Sequence, residues 1–166
     1  MKLRAPAYPL INVDPYFSVW SMADCLHDDT VKHWTGSPNT LIGIAAVDGE
    51  EKLFMGVCDS RPKMKQISVE VSALSTTYAF TDDKIVLTVR FSTPLLPDDL
   101  ALMTRPVGYM ALSYTSVDGE EHEVSATVLC SEEFVMDKRG DDATVREVLS
   151  VGKDGEGQPD AAEPFR

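Results

Sequence analysis

Apolar runs long enough to cross a bilayer as a helix are missing from this sequence. The N-terminus also lacks the apolar core of a secretory leader, so a cytoplasmic location is expected, or secretion if a leader has been removed. Cysteine is scarce. Cys25, Cys58 and Cys130 are odd in number and far apart, which argues against a disulfide framework and fits reduced thiols. Basic residues are few as well. Lys and Arg total 15 against 27 Asp and Glu, a formal net charge of -12, which opposes nucleic-acid phosphates and anionic membrane surfaces, so neither is expected as a partner. No apolar repeat of period 3.6 runs for more than a couple of turns, which leaves little room for helix.

What is present is strand and turn signal. The chain has 166 residues with a 43% hydrophobic fraction, enough for one domain with a full core. Residues 41–47 form a continuous apolar run suited to a strand buried on both faces. Asp48-Gly49 follows as a tight hairpin turn, with a return strand over 52–57. Residues 66–74 alternate, Ile67, Val69 and Val71 on one face against Ser68, Glu70 and Ser72 on the other. Residues 76–81 and 84–92 read as further strands around an Asp82-Asp83 turn, with Ile85, Leu87, Val89 and Phe91 sharing a face. Pro94 and Pro97 enforce a loop, and Asp98-Asp99 can cap a helical turn over 100–103. A long strand over 107–116 has Tyr109 and Tyr114 on opposite faces. Asp118-Gly119 turns the chain and 122–130 returns. Residues 144–151 offer one more strand. The pentapeptide VDGEE occurs at 47–51 and again at 117–121, and the unmatched flanks favour two independent hairpin turns over a duplication. The pattern predicts an all-β chain, an antiparallel β-sandwich of supersandwich-like type with a long N-terminal loop segment. Residues 1–152 would form the sandwich and 153–166 a flexible tail. Apolar residues on both faces of 41–47 and 107–116 imply a large sandwich or a sheet covered by another domain.

Chemistry-bearing residues concentrate in 8–36, a segment read mainly as a shaped loop with short strand pieces. Both tryptophans and two of the three histidines lie there. Cys25, His27 and His33 with Asp24, Asp28 or Asp29 are zinc-type ligands, but their spacing matches no structural zinc pattern, and no metal or cofactor is expected. Asp14, Asp24, Asp28 and Asp29 could supply paired carboxylates for acid–base work, although Asp14 before Pro15 suits a turn. No G-x-S-x-G elbow is present, and no catalytic residue is assigned. Tyr8, Tyr16, Phe17, Trp20 and Trp34 could form an aromatic binding surface. Phe17 and Trp20 suit a core plug equally well, while Trp34, in a polar setting, is expected at the surface.

The motifs P-x-x-P-L-I-x-V-D-P-Y-F-S-V-W-S at 6–21, D-x-L at 24–26, K-H-W-T-G at 32–36, I-G-x-x-x-V-D-G at 42–49, F-M-G at 54–56, T-P-L-L-P-D-D-L at 93–100 and R-P-V-x-Y at 105–109 follow in order, within a match of about 125 residues. Together they resemble the N-terminal region of the bacterial and fungal glutaminase A-like family, in a match that runs beyond the last of these motifs and fades after Cys130. That resemblance implies a β-sandwich preceding a helical barrel of (α/α) type, which carries the catalytic carboxylates. It also implies hydrolysis of glutamine to glutamate and ammonia by the whole protein. This chain would then be an accessory domain, inactive alone, whose partner is the helical catalytic domain of the same protein, with a small-molecule substrate near their junction. Binding or interdomain contact is expected at Asp14, Tyr16, Trp20, Asp24, Lys32, His33, Trp34 and Arg105. The alternative from the residues themselves is a stand-alone carbohydrate- or protein-binding module.

Overall fold

The computed structural model describes residues 5–58, 60–134 and, for the backbone, 148–151. They form an all-β structure of three antiparallel sheets with one short helix. Strands β1 (Tyr8–Asn12), β2 (Ser18–Ser21) and β3 (Lys32–His33) make a small sheet in that order. The segment expected to be mostly loop is therefore sheet at its two ends. Strands β4 (Leu41–Val47) and β5 (Glu50–Met55) form the expected hairpin. Strands β6 (Lys65–Val71), β7 (Ser75–Thr81) and β8 (Ile85–Ser92) meander. Helix α1 (Leu100–Met103) then leads to β9 (Tyr109–Ser116), β10 (Val124–Cys130) and β11 (Val148–Val151). The larger sheets run β11-β10-β4-β5 and β6-β7-β8-β9. The expected tail at 153–166 and residues 144–147 of the last expected strand lie outside the described residues.

Two expectations change. Residues 117–121 do not close a hairpin: β9 ends one sheet, and β10 crosses into the other to pair with β4. The strict alternation over 66–74 also fails. A bulge between Gln66 and Ser68 makes Ile67 the extra residue, and Ile67 and Val71 are exposed.

The core lies between the two four-stranded sheets. Leu41, Ala45 and Val47 of β4 and Phe54 and Met55 of β5 meet Tyr78 and Phe80 of β7 and Ile85, Leu87, Val89 and Phe91 of β8. The Phe54 and Phe80 rings, 6.0 Å apart, join the sheets, and Tyr78 contacts Tyr8 of β1, Phe80 and Phe91. Each such side chain stabilises the fold by roughly 1.5–3 kcal/mol on full burial. Two glycines permit this packing. Gly43 lies under the Phe54 ring, which a Cβ there would strike, and Gly56, at φ +76, abuts the Leu41 carbonyl. The I-G and F-M-G motifs are thus halves of one contact. Ile44, on the outer side of β4, is buried too, so β4 is covered on both faces as expected. On β9, Tyr109 and Tyr114 are exposed, and no described residue covers them.

The two VDGEE turns meet. Asp48 (φ 52) and Gly49 (φ 83) make the β4–β5 turn. The Asp48 amide donates to the Glu123 carbonyl (2.9 Å), and the Glu123 amide donates to Asp48 Oδ1 (3.1 Å). His122 stands between the repeats, Nδ1 at 2.9 Å from Asp48 Oδ2 and Nε2 at 2.9 Å from Asp118 Oδ1. Its side chain is only 7% exposed, while each aspartate keeps about a third of its surface in water. Bonds to Asp118 and Asp48 raise the His122 pKa. His122, Lys84 and the Glu123 amide pull Asp48 down to about 2, and the Glu120 amide and His122 do the same for Asp118. The aspartates therefore add stability above their ordinary 3.8, lost as pH falls toward about 2. His122 adds its share fully below its ordinary 6.5, lost as pH rises through its raised folded value. Melting curves should show native chain outlasting His122→Asn by the widest margin between pH 3.8 and 6.5, with the margin closing above. An equal margin at every pH would contradict the clamp.

Candidate functional site

The site is built from the turns that join the three strands of the small sheet. Asp14 Oδ1 accepts the amides of Tyr16 (2.7 Å) and Phe17 (2.9 Å), folding the β1–β2 connection back on itself. This holds the Pro15 carbonyl outward, where it accepts two side-chain donors: His33 Nε2 at 3.0 Å and Trp34 Nε1 at 2.8 Å. A carbonyl only accepts, so His33 carries its proton on Nε2, and Nδ1 accepts from the Thr35 hydroxyl (2.8 Å) and amide (3.3 Å). The His33 and Trp34 rings lie 5.6 Å apart at 47°. The Trp34 amide donates to Ser18 of β2, and Gly36, at φ +93, closes the turn through its amide to the His33 carbonyl.

Asp14, Tyr16, His33 and Trp34 therefore stand together around one carbonyl. Tyr16 is 94% exposed and Trp34 57%, so two large rings face solvent although the backbone beneath them is fixed. Trp20 pairs across the ladder with Lys32. Its indole donates to Ser18 Oγ (2.9 Å), which donates to Asn12 Oδ1 (3.1 Å). Lys32 Nζ is tied to Asp29 Oδ2 at 2.6 Å. These two support the sheet beneath the rings. Phe17 packs on the core and meets Phe134 at 6.1 Å. Asp24 belongs to a different neighbourhood, where its carbonyl accepts Gln66 Nε2 (3.1 Å). Arg105 lies beyond α1, in the connection between β8 and β9.

The metal candidates do not converge. His27 Nε2 donates to the Met64 carbonyl in the interior, while His33 is engaged with Pro15. Among the described residues no three potential ligands gather. Nor do Asp28 and Asp29 suit proton donation. Burial pushes Asp28 up, but Lys63 and His27 outweigh it and hold it low, and the Lys32 ammonium holds Asp29 low. Burial and Asp28 raise the Cys25 thiol, which disfavours the nucleophilic thiolate.

Sequence reasoning missed two features. One is the His122 clamp, whose signal was the repeated pentapeptide. The other is the exposed apolar stretch over 94–109, read only as loop, helix and strand.

Comparison with known proteins gives two families, each described as a domain of unknown function: DUF4964 over residues 1–67 and DUF5127 over 74–155. Glutaminase A of Aspergillus oryzae is 27% identical over 144 residues, spanning 82% of this chain and 21% of the fungal protein. The chain is related to glutaminase A. It spans about a fifth of that relative's length. No solved structure matches. The two families divide the chain at the β6–β7 hairpin, yet one sheet takes β4 and β5 from the first region and β10 from the second. The two regions therefore share one sandwich.

Asp14→Ala removes an acceptor for two amides and should lower stability by about 1 kcal/mol in a urea titration. Asp14→Asn, which retains Oδ1, should lose less. Equal stability in all three proteins would show that Asp14 does not hold the Pro15 carbonyl in place.

Proposed function

We propose that this chain is the N-terminal accessory β-sandwich domain of a glutaminase-like hydrolase, packing on a helical catalytic domain of the same polypeptide. The observation that supports this best is the extent of the match: most of this chain aligns with only a fifth of glutaminase A. The exposed Trp34 ring, held by the Pro15 carbonyl beside the exposed Tyr16, suits an interface anchor, because a rigid aromatic loses little freedom on docking. In this reading Asp14, Tyr16, His33 and Trp34 form the contact face, Trp20 and Lys32 brace it, and Asp24 and Arg105 lie at further margins. In this reading glutamine hydrolysis belongs to the assembled protein, through carboxylates of the helical domain.

The exposed Trp34 ring also favours a second reading, a stand-alone module that stacks on a sugar or a protein. The two separate by experiment. The chain alone should release no ammonia from glutamine, and turnover by it would overturn the accessory role. Trp34→Ala should leave the melting temperature nearly unchanged but weaken association with the separately expressed catalytic part about tenfold, or ~1.4 kcal/mol. Unchanged association would remove Trp34 from the contact face, whereas no association of the native chain, or glycan binding lost in the same variant, would favour the second reading.

A further inference from the structure

The connection between β8 and β9 carries an apolar surface that nothing described covers. Leu95, Leu96, Leu100, Met103, Val107 and Tyr109 are all exposed, Leu100 to 72%. Helix α1 reads Leu-Ala-Leu-Met and buries none of its residues. A helix of one turn does not persist on propensity alone, since nucleation is unfavourable. Asp99, whose Oδ1 accepts the Leu102 amide at 3.0 Å, supplies one cap. A solvent-facing helix ordinarily shows polar residues, whereas this one shows only apolar ones. Beside it lies a cleft of about 160 Å³ walled by Leu96, Leu102, Met103, Val107 and Tyr109, with Arg105 among its lining residues. Large exposed apolar patches on monomers mark interaction sites, and here the six exposed side chains fall within residues 95–109.

We propose that residues 94–109 are an apolar docking segment for the part of the same glutaminase-like polypeptide that lies outside this chain. It offers the α1 leucines to an apolar groove, receives one apolar side chain in its cleft, and pairs Arg105 with a carboxylate. The proposal rests on the accessory-domain reading and adds to it a second contact element. Three observations select this occupant. The glutaminase A relative extends far beyond the fifth of it matched here, so a large body of polypeptide is available to cover the patch. A second copy of this chain would bring a net charge of -12 against -12. Residues 153–166 are rich in Gly, Asp and Glu and include one large apolar side chain, Phe165, a poor match for so many leucines. Arg105 has no acidic partner among the described residues, which suits a charge supplied from outside. The segment also adjoins the aromatic face: the Asn12 amide at the end of β1 donates to Thr93 Oγ1 (3.3 Å), and Gly108 abuts Ile11.

The test is hydrogen exchange on the polypeptide expressed from the complete native reading frame, compared with this chain alone. Amides of 99–105 should exchange at least about tenfold more slowly in the longer protein. Leu100→Glu with Leu102→Glu should erase that protection while leaving the melting temperature of the chain alone unchanged, since neither residue is buried. Protection of 14–36 without protection of 99–105 would overturn this inference and leave the accessory reading standing. Protection of neither, or a reading frame with no further domain, would overturn both. Equal protection in the chain alone, with a dimeric mass, would assign the patch to a second copy, and loss of that protection on deleting 153–166 would assign it to the tail. Either result overturns the inference.

Discussion

The seven-residue ladder between β4 and β10, from Val124 opposite Val47 to Cys130 opposite Leu41, is the constraint on which the rest of the molecule depends. It joins residues about eighty positions apart, and such long-range pairing pays its loop-closure entropy before any burial compensates. What compensates is the core behind it. Val124 and Val128 of β10 join Leu41, Ala45 and Val47 of β4 in one apolar cluster with the aromatic rings of β7 and β8. The ladder is held at both ends. His122 and Glu123 bind the Asp48 turn at one, and at the other Glu133 accepts the Thr40 amide (2.9 Å) and hydroxyl (2.6 Å) and the Ser131 hydroxyl (3.0 Å). Sequence families that divide the chain after residue 67 therefore cut across a single physical unit.

That unit leaves particular surfaces open. The small sheet packs β1 against β7 and β8 and turns its connections outward, where Asp14 and Pro15 set the pose of His33 and Trp34. A ring fixed before contact gives up less entropy on binding than a loose one, which separates a prepared contact face from an incidental exposed aromatic. The neighbouring 94–109 connection is apolar where a free surface would be polar. Both features carry the proposal that another part of a longer polypeptide completes this surface.

Much of this was legible in the sequence, and the reasons are local. Alternation in β8, the Asp-Gly turn after β4 and the Asp99 cap of α1 are signals that neighbours in the chain write directly. Trp34 at the surface followed from its polar neighbours. Asp118-Gly119 misled because a turn dipeptide fixes a reversal but not the strand that the returning segment joins, and β10 pairs with β4 rather than β9. The Gln66–Ser68 bulge defeated the alternation because one inserted residue moves side chains to the other face. In the candidate site, Asp14, Tyr16, His33 and Trp34 converge, while Asp24 and Arg105 stand elsewhere, since sequence proximity and motif membership do not determine which side of a sheet a loop reaches. The Pro15 carbonyl was invisible because a backbone acceptor leaves no mark in residue type.

The central claim is that both halves of the chain make one cooperative sandwich. The most direct measurement is circular dichroism with amide NMR on the separate fragments 1–73 and 74–166 and on their mixture. Each fragment alone should lack dispersed amide resonances and a cooperative melt, and mixing should restore both. A fragment 1–73 that folds alone with the native resonances of β4 and β5 would contradict the account.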